Sequence, residues 1–361
     1  MKSILRPSLD WLLVFVPVAV GAHFLAPGRD TFIFFAAAAA IVPLAGWIGR
    51  STEQLACRVG DGLGGLLNAT FGNAAELIIG IMALRRGLTG VVKASLTGSI
   101  LGNVLLVLGA SLLVGGLRYR QQTFNRSGAR SQATMLLLAA IALIMPAAFH
   151  HMGGPRALAV EGRLSLGISF VLLLTYGVSL WFSLHTHREL FTNAREVLAC
   201  EEPSREPWGL GRAVLVLAVV TALVAWLSEI LVGSVEQTAR ALGMSDVFIG
   251  VVVVAIIGNA AEHSTAVTLA WKNRMDLALG IAVGSSVQIA LLAAPVLVLL
   301  SYGVGPAPMD LVFTLPEVLA VGLAVVITAQ IAGDGESNWL EGAQLLAVYL
   351  ILGIVFYFLP V

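Results

Sequence analysis

Charge is what this sequence has least of. Only 12% of its 361 residues are Asp, Glu, Lys or Arg, against roughly 25% in soluble domains. So few charges cannot coat a water-exposed surface of that size, which excludes an ordinary soluble protein. The 21 acidic and 21 basic residues balance to zero, so neither nucleic acid nor a strongly charged protein partner is indicated. Cysteine is also scarce. Cys57 and Cys200 stand far apart, without metal-binding spacing, and are expected as two free thiols packed among helices. No phosphate-binding loop, catalytic triad or redox motif occurs, which leaves ATP-driven pumping, enzymatic chemistry and an organic cofactor without support.

What the chain has instead is long apolar sequence, 58% hydrophobic residues overall. Runs such as 132–149, 211–232 and 341–360 approach the roughly 20 residues that cross a hydrocarbon core. They are continuous and do not alternate, so the expected class is an all-α membrane protein, not a barrel. Polar breaks define eleven spans, at 9–26, 31–49, 68–84, 90–116, 132–149, 163–184, 211–232, 247–270, 276–301, 311–331 and 340–360. Lys2 and Arg6 before the first run imitate a signal peptide, but no clear small-residue cleavage site follows. The run is read as a first retained helix. The glycine-rich stretch 50–67 is expected at the membrane interface, and 185–210, with Pro203 and Pro207, is a linker between halves. One side of the eleven spans holds 14 of the 21 basic residues. The positive-inside rule then predicts the N-terminus and linker in the cytoplasm and the C-terminus outside, and the expected location is a prokaryotic inner membrane, crossed many times.

Self-comparison is more informative. GNAAE occurs at 72–76 and at 258–262, an offset of 186, and at the same offset Gly98-Ser99 falls on Gly284-Ser285. The expected organisation is an N-terminal helix (1–30), a five-helix repeat (31–184), the linker (185–210) and a second five-helix repeat (211–361). Five crossings invert the second repeat relative to the first, an architecture whose sites form near the membrane midplane.

Each copy of the motif places a glutamate, Glu76 or Glu262, in an apolar span. An ionisable group at that depth costs about 3 kcal/mol on insertion scales. No Lys or Arg lies deep in any span to neutralise the pair, so a cation is the natural partner. Asn73 and Asn259 precede the glutamates by one turn, and Ser99, Asn103, Ser285 and Gln288 lie in the following spans. Carboxylates, amides and a hydroxyl form an all-oxygen donor set, which suits Ca²⁺. Desolvation and mutual repulsion of the two carboxylates are relieved either by a proton or by a cation. The two compete for the same oxygens, which makes exchange the economical mechanism. His263 either relays protons or is an interhelical histidine held by a hydrogen bond; the sequence leaves both open. Glu53, Glu229 and Glu236 either guide cations or sit among headgroups. Glu317, after Pro316, complements a helix dipole, and Gly98/Gly102 and Gly280/Gly284 are close-packing pairs.

These motifs resemble those of the cation/proton exchanger (CAX) family, within the Ca²⁺/cation antiporter superfamily. LGGLLNATFGNAAELI (63–78) is similar to its first signature, and GNAAEHSTAV (258–267) with GSSVQIAL (284–291) to its second. The tail DGESNWLEGAQLLAVYLIL (334–352) also resembles the family. The resemblance implies eleven helices, alternating access and Ca²⁺ exchanged for protons as transported substrates. It also implies that Glu76 and Glu262 are central ligands, with Asn73, Ser99, Asn103, Asn259, Ser285 and Gln288 around them and His263 as the characteristic histidine. A homo-oligomer is compatible with the sequence but not required by it. The alternatives are a sodium-coupled Ca²⁺ exchanger of the same superfamily, disfavoured because Gln288, or Ile289 if the alignment is ungapped, stands where a further acid is expected, and a cation channel, which would need rings of charge along a pore.

Overall fold

The computed structural model describes residues 9–59, 67, 70–154, 158–187 and 208–359. Most of the expected linker, Cys200 and part of the expected interfacial stretch fall outside these residues, and so does the side chain of Cys57. Eleven helices correspond to the eleven expected spans. They are α1 (Leu9–Leu25), α2 (Asp30–Val59), α3 (Ala74–Arg85), α4 (Thr89–Arg118), α5 (Arg126–Met152), α6 (Glu161–Thr186), α7 (Leu210–Gly233), α8 (Ile249–Trp271), α9 (Met275–Val304), α10 (Leu315–Ile331) and α11 (Trp339–Tyr357). Eight of them are long and apolar enough to cross a membrane, and α1 and α10 are shorter apolar helices. The chain is an integral multi-pass membrane protein.

Local chemistry sets many of the ends. Asn338 caps α11, accepting hydrogen bonds from the backbone N–H groups of Leu340 and Glu341, while Glu341 accepts one from Asn338 N. Thr314 and Glu317 form the same reciprocal box at α10. Asn273, with φ of +60°, ends α8. Two helix ends differ from expectation. The span 68–84 does not run through as one helix: Gly72 and Asn73 form a turn, and α3 starts at Ala74. His150 and His151, just beyond the expected span 132–149, lie in the last turn of α5, and His150 Nδ1 sits 2.7 Å from Glu161 Oε1.

The helix pairings come in matched sets. α2 packs on α8 as α7 packs on α3; α4 packs on α11 as α9 packs on α6; and α2–α7 and α5–α10 pair with each other. Exchanging 31–184 with 211–361 leaves this pattern unchanged. The enclosed rods α4 and α9 each contain a turn of π-helix, Gly102–Val107 and Ile289–Ala293. The 186-residue offset carries one onto the other within a residue.

The connections sort onto two faces. On one, Lys93 meets Asp310 at 2.5 Å, Leu311 N donates to Ser165 Oγ at 2.9 Å, and Arg86 abuts Gly233. On the other, β1 (Gln122–Thr123) pairs antiparallel with β2 (Glu336–Ser337), and Gln122 donates to Asn273 at 3.0 Å. Each rod from α4 to α11 therefore crosses between the faces.

Small residues set the tightest crossings. A Cβ on Gly98 would lie 2.0 Å from Val251 O, and one on Gly342 2.3 Å from Leu113 N, so α4 meets α8 and α11 backbone to backbone. Gly102 has nothing within 4 Å and Gly284 only Gln132 at 3.8 Å. The close-packing role expected of the Gly98/Gly102 pair thus rests on Gly98 alone. Gly98→Ala is expected to lower the melting temperature in detergent by the equivalent of about 1–3 kcal/mol of overpacking. Gly21→Ala, with nothing within 4 Å, should not lower it; equal melting curves would remove the crossing from the account.

Candidate functional site

The eight residues singled out in the sequence lie on α3, α4, α8 and α9, and the fold brings them together. Asn73, at the start of α3, donates its Nδ2 to Gln288 Oε1 on α9 at 2.6 Å. Asn259, mid-way along α8, donates its Nδ2 to Ser99 Oγ on α4 at 3.0 Å and to the carbonyl of Ala255 at 2.9 Å. Its Oδ1 faces Asn103 Nδ2 at 3.5 Å. Ser285 donates to Glu262 Oε2 at 2.7 Å. Each asparagine of a GNAAE motif therefore bonds to the opposite half of the chain.

Glu76 is buried, and its side chain faces α8 at Gly258. A Cβ on Gly258 would come within 3.4 Å of Glu76 Cγ and 3.5 Å of Oε1. Glu262 lies one turn beyond Gly258 on the same face of α8. Glu76 Oε2 and Asn73 Oδ1 are buried with no hydrogen-bond partner among the described residues. Glu262 is half-buried. The two copies of one motif thus differ: the first opens a helix, the second lies inside one.

The π-turns explain part of the placement. Asn103 lies within the turn in α4, Gln288 immediately precedes that in α9, and a third, Ile249–Val254, leads into the segment with Gly258 and Asn259. Such turns recur at functional sites because the widened register re-aims side chains. His263, beside Glu262, is half-buried, and its buried Nε2 has no partner among the described residues. It is not tied through that atom to a neighbouring helix there. Glu229 is exposed on α7, and Glu236 sits 3.9 Å from Arg240. Glu317 is buried, bonded through Oε2 to Thr314 and through Oε1 to Thr97 at 3.3 Å, beyond the dipole role expected of it.

The model for the sodium/calcium exchanger protein family matches residues 30–185 and 212–358, which is most of the chain and both copies of the motif. The chain belongs to that family. A Ca²⁺/H⁺ antiporter of Aphanothece halophytica is 45% identical over 364 residues, covering 97% of this chain and 96% of the relative. The Ca²⁺/H⁺ antiporter ChaA of Bacillus subtilis (strain 168) is 46% identical over 356 residues, covering 96% and 99%. The solved structure of native YfkE superposes with a TM-score of 0.83 at 43% identity, covering 98% of this chain and all of that one. The likeness to the cation/proton exchangers seen in the motifs is borne out.

In this exchanger-family chain the residue missed at the site is Gly258, which faces Glu76: a Cβ there would meet that side chain at ordinary contact distance. The repeated motif displayed that glycine, but only the packing reveals which carboxylate it faces. Asn259 is the most connected polar residue there. Asn259→Ala is expected to strand Ser99 and Asn103 and to lower stability by about 1 kcal/mol, since interhelical hydrogen bonds in membranes average about 0.6 kcal/mol. Ser264→Ala, which removes an exposed hydroxyl bonded within its own helix, serves as control. Indistinguishable thermal melts would show the network to be energetically idle.

Proposed function

We propose that this protein is a secondary transporter exchanging Ca²⁺ for H⁺ by alternating access at a site built on Glu76 and Glu262. The supporting observation is the convergence of two glutamates from opposite halves with oxygen-bearing side chains, Glu76 Oε2 being buried without a partner among the described residues. An unsatisfied buried anion is costly, and a hard cation with several oxygen ligands offsets that cost. Asn73, Asn259, Ser99, Asn103, Ser285 and Gln288 complete the surroundings as ligands or as groups holding them, and His263 assists proton movement beside Glu262. The 45–46% identical relatives, both Ca²⁺/H⁺ antiporters, support the choice of ions. We read the protein as an N-terminal helix (1–30) and two inverted five-helix repeats (31–184 and 211–361) joined by the 185–210 linker, with the site where the repeats meet. Ca²⁺ and H⁺ enter as cargo, and no bound cofactor is invoked.

Protons and Ca²⁺ compete for the same carboxylate oxygens, so binding Ca²⁺ releases protons, and by linkage Ca²⁺ affinity falls as pH falls. Between about pH 8 and about pH 5 the apparent KM for Ca²⁺ is expected to rise steadily; a flat profile would reject a shared site. Proteoliposomes with an imposed pH gradient, with and without a Na⁺ gradient, test the exchange. Uptake driven by the pH gradient alone is expected, and Glu76→Gln or Glu262→Gln should abolish it while leaving the protein inserted and monodisperse. Uptake that requires Na⁺ would instead place the protein among sodium-coupled exchangers, and near-normal transport by either variant would remove that glutamate from the mechanism.

A further inference from the structure

The two GNAAE asparagines are held in different ways, and the difference assigns a role to Gln288. Asn259 has both ends of its amide engaged, Nδ2 by Ser99 and Ala255 and Oδ1 by Asn103. Asn73 has only its Nδ2 engaged, by Gln288 Oε1 at 2.6 Å, and its Oδ1 is buried without a partner among the described residues.

Asn73 also occupies the residue before the first turn of α3, with non-helical φ −102° and ψ 25°. Asparagine at that position ordinarily accepts a backbone N–H of the first turn. Among the described residues asparagine is used in that way twice: Asn125 Oδ1 accepts from Gly128 N, and Asn338 Oδ1 from Leu340 N and Glu341 N. Asn73 makes no such bond. An amide group is planar with its oxygen and nitrogen on opposite lobes, so a short bond at Nδ2 fixes where Oδ1 lies. The oxygen withheld from capping belongs to the residue one turn before Glu76, whose Oε2 is likewise buried and unpartnered. A buried polar atom left unsatisfied calls for an explanation such as an ion, and here two oxygens share one helix start.

We propose that Gln288 is a positioning residue, not a ligand: its bond to Asn73 holds that amide out of the capping geometry and keeps Oδ1 available, with Glu76 Oε2, to the transported cation. The assignment rests on the two-glutamate reading above. It makes the Asn73–Glu76 side the half of the site with buried oxygens lacking a partner among the described residues, while Ser285 and Asn103 bond Glu262 Oε2 and Asn259 Oδ1 on the other side.

The test is a double-mutant cycle read by calorimetric Ca²⁺ binding to purified protein in detergent, beside uptake driven by a pH gradient. Gln288→Met removes the acceptor at similar volume and is expected to weaken Ca²⁺ binding about tenfold, the scale of one hydrogen bond to a charged partner. It should not lower the melting temperature, because the freed Asn73 can cap α3; a purely structural role predicts a lower one. In an Asn73→Asp background both δ atoms are oxygens and no orientation is needed. There Gln288→Met is expected to cost less than about threefold, the non-additivity that marks coupled residues. A full tenfold loss persisting in that background means that Gln288 binds the cation itself and overturns the proposal. Gln288→Glu keeps an acceptor for Asn73 and is expected to bind Ca²⁺ within about threefold of the unaltered protein; markedly tighter binding also overturns it. Should Asn73→Asp bind no Ca²⁺, the contrast between Gln288→Met and Gln288→Glu decides. Glu76→Gln separates the two levels. Binding that survives it sinks the two-glutamate reading itself, whereas binding lost in Glu76→Gln with additive effects at 73 and 288 sinks only the positioning role.

Discussion

The contact on which the arrangement depends is the meeting of Glu76 with α8 at Gly258. A carboxylate inside an apolar bundle needs compensating groups, and Glu76 Oε2 has none among the described residues. On α8, Gly258 faces the Glu76 side chain, and the asparagine that follows reaches across to Ser99 and Asn103 on α4. The backbone crossing of α4 and α8 at Gly98 and Val251 fixes how far those side chains must reach. A larger residue at Gly98 would separate rods whose polar groups have no water to turn to.

Around this contact the bundle fastens itself at both ends. On one face Lys93 joins Asp310 and the carbonyl of Val312, tying the start of α4 to the connection before α10. On the other, Arg118 stacks on Trp271 and donates to its carbonyl, and Gln122 donates to Ala270 O and Asn273. Farther along the same face, Trp47 lies beside Trp208 and donates to Asp10, while Arg50 and Arg212 lie over the two rings. Such amphipathic rings and cations suit the headgroup level, where they join α1, α2 and the start of α7.

Much of this was legible in the sequence, for a physical reason. The thickness of a hydrocarbon core fixes how long an apolar run must be, so the eleven segments could be placed from composition. A buried acid is rare enough that two copies of GNAAE pointed to Glu76 and Glu262 directly. What stayed hidden depends on partners distant in the chain. Gly72-Asn73 and Gly258-Asn259 are the same letters, yet one breaks a helix and the other does not; the surrounding helices, not local propensity, decide. Gln288 was read as one more oxygen ligand, and only its 2.6 Å bond to Asn73 reveals what its acceptor is engaged with. No composition signal announces a π-turn, since Gly102–Val107 and Ile289–Ala293 look like any other apolar stretch.

Those turns behave like dislocations in a crystal. Each stores one residue more than the α-helical register needs, while nearly every backbone group stays hydrogen-bonded. Closing one into α-helix would rotate everything beyond it by about 100° and shift it by about 1.5 Å. The defect can equally glide along the rod one residue at a time, exchanging each bond for its neighbour. In a solvent that will not hydrate a broken peptide bond partner, this gives α4, α8 and α9 a way to re-aim Asn103, Asn259 and Gln288 without unfolding a turn.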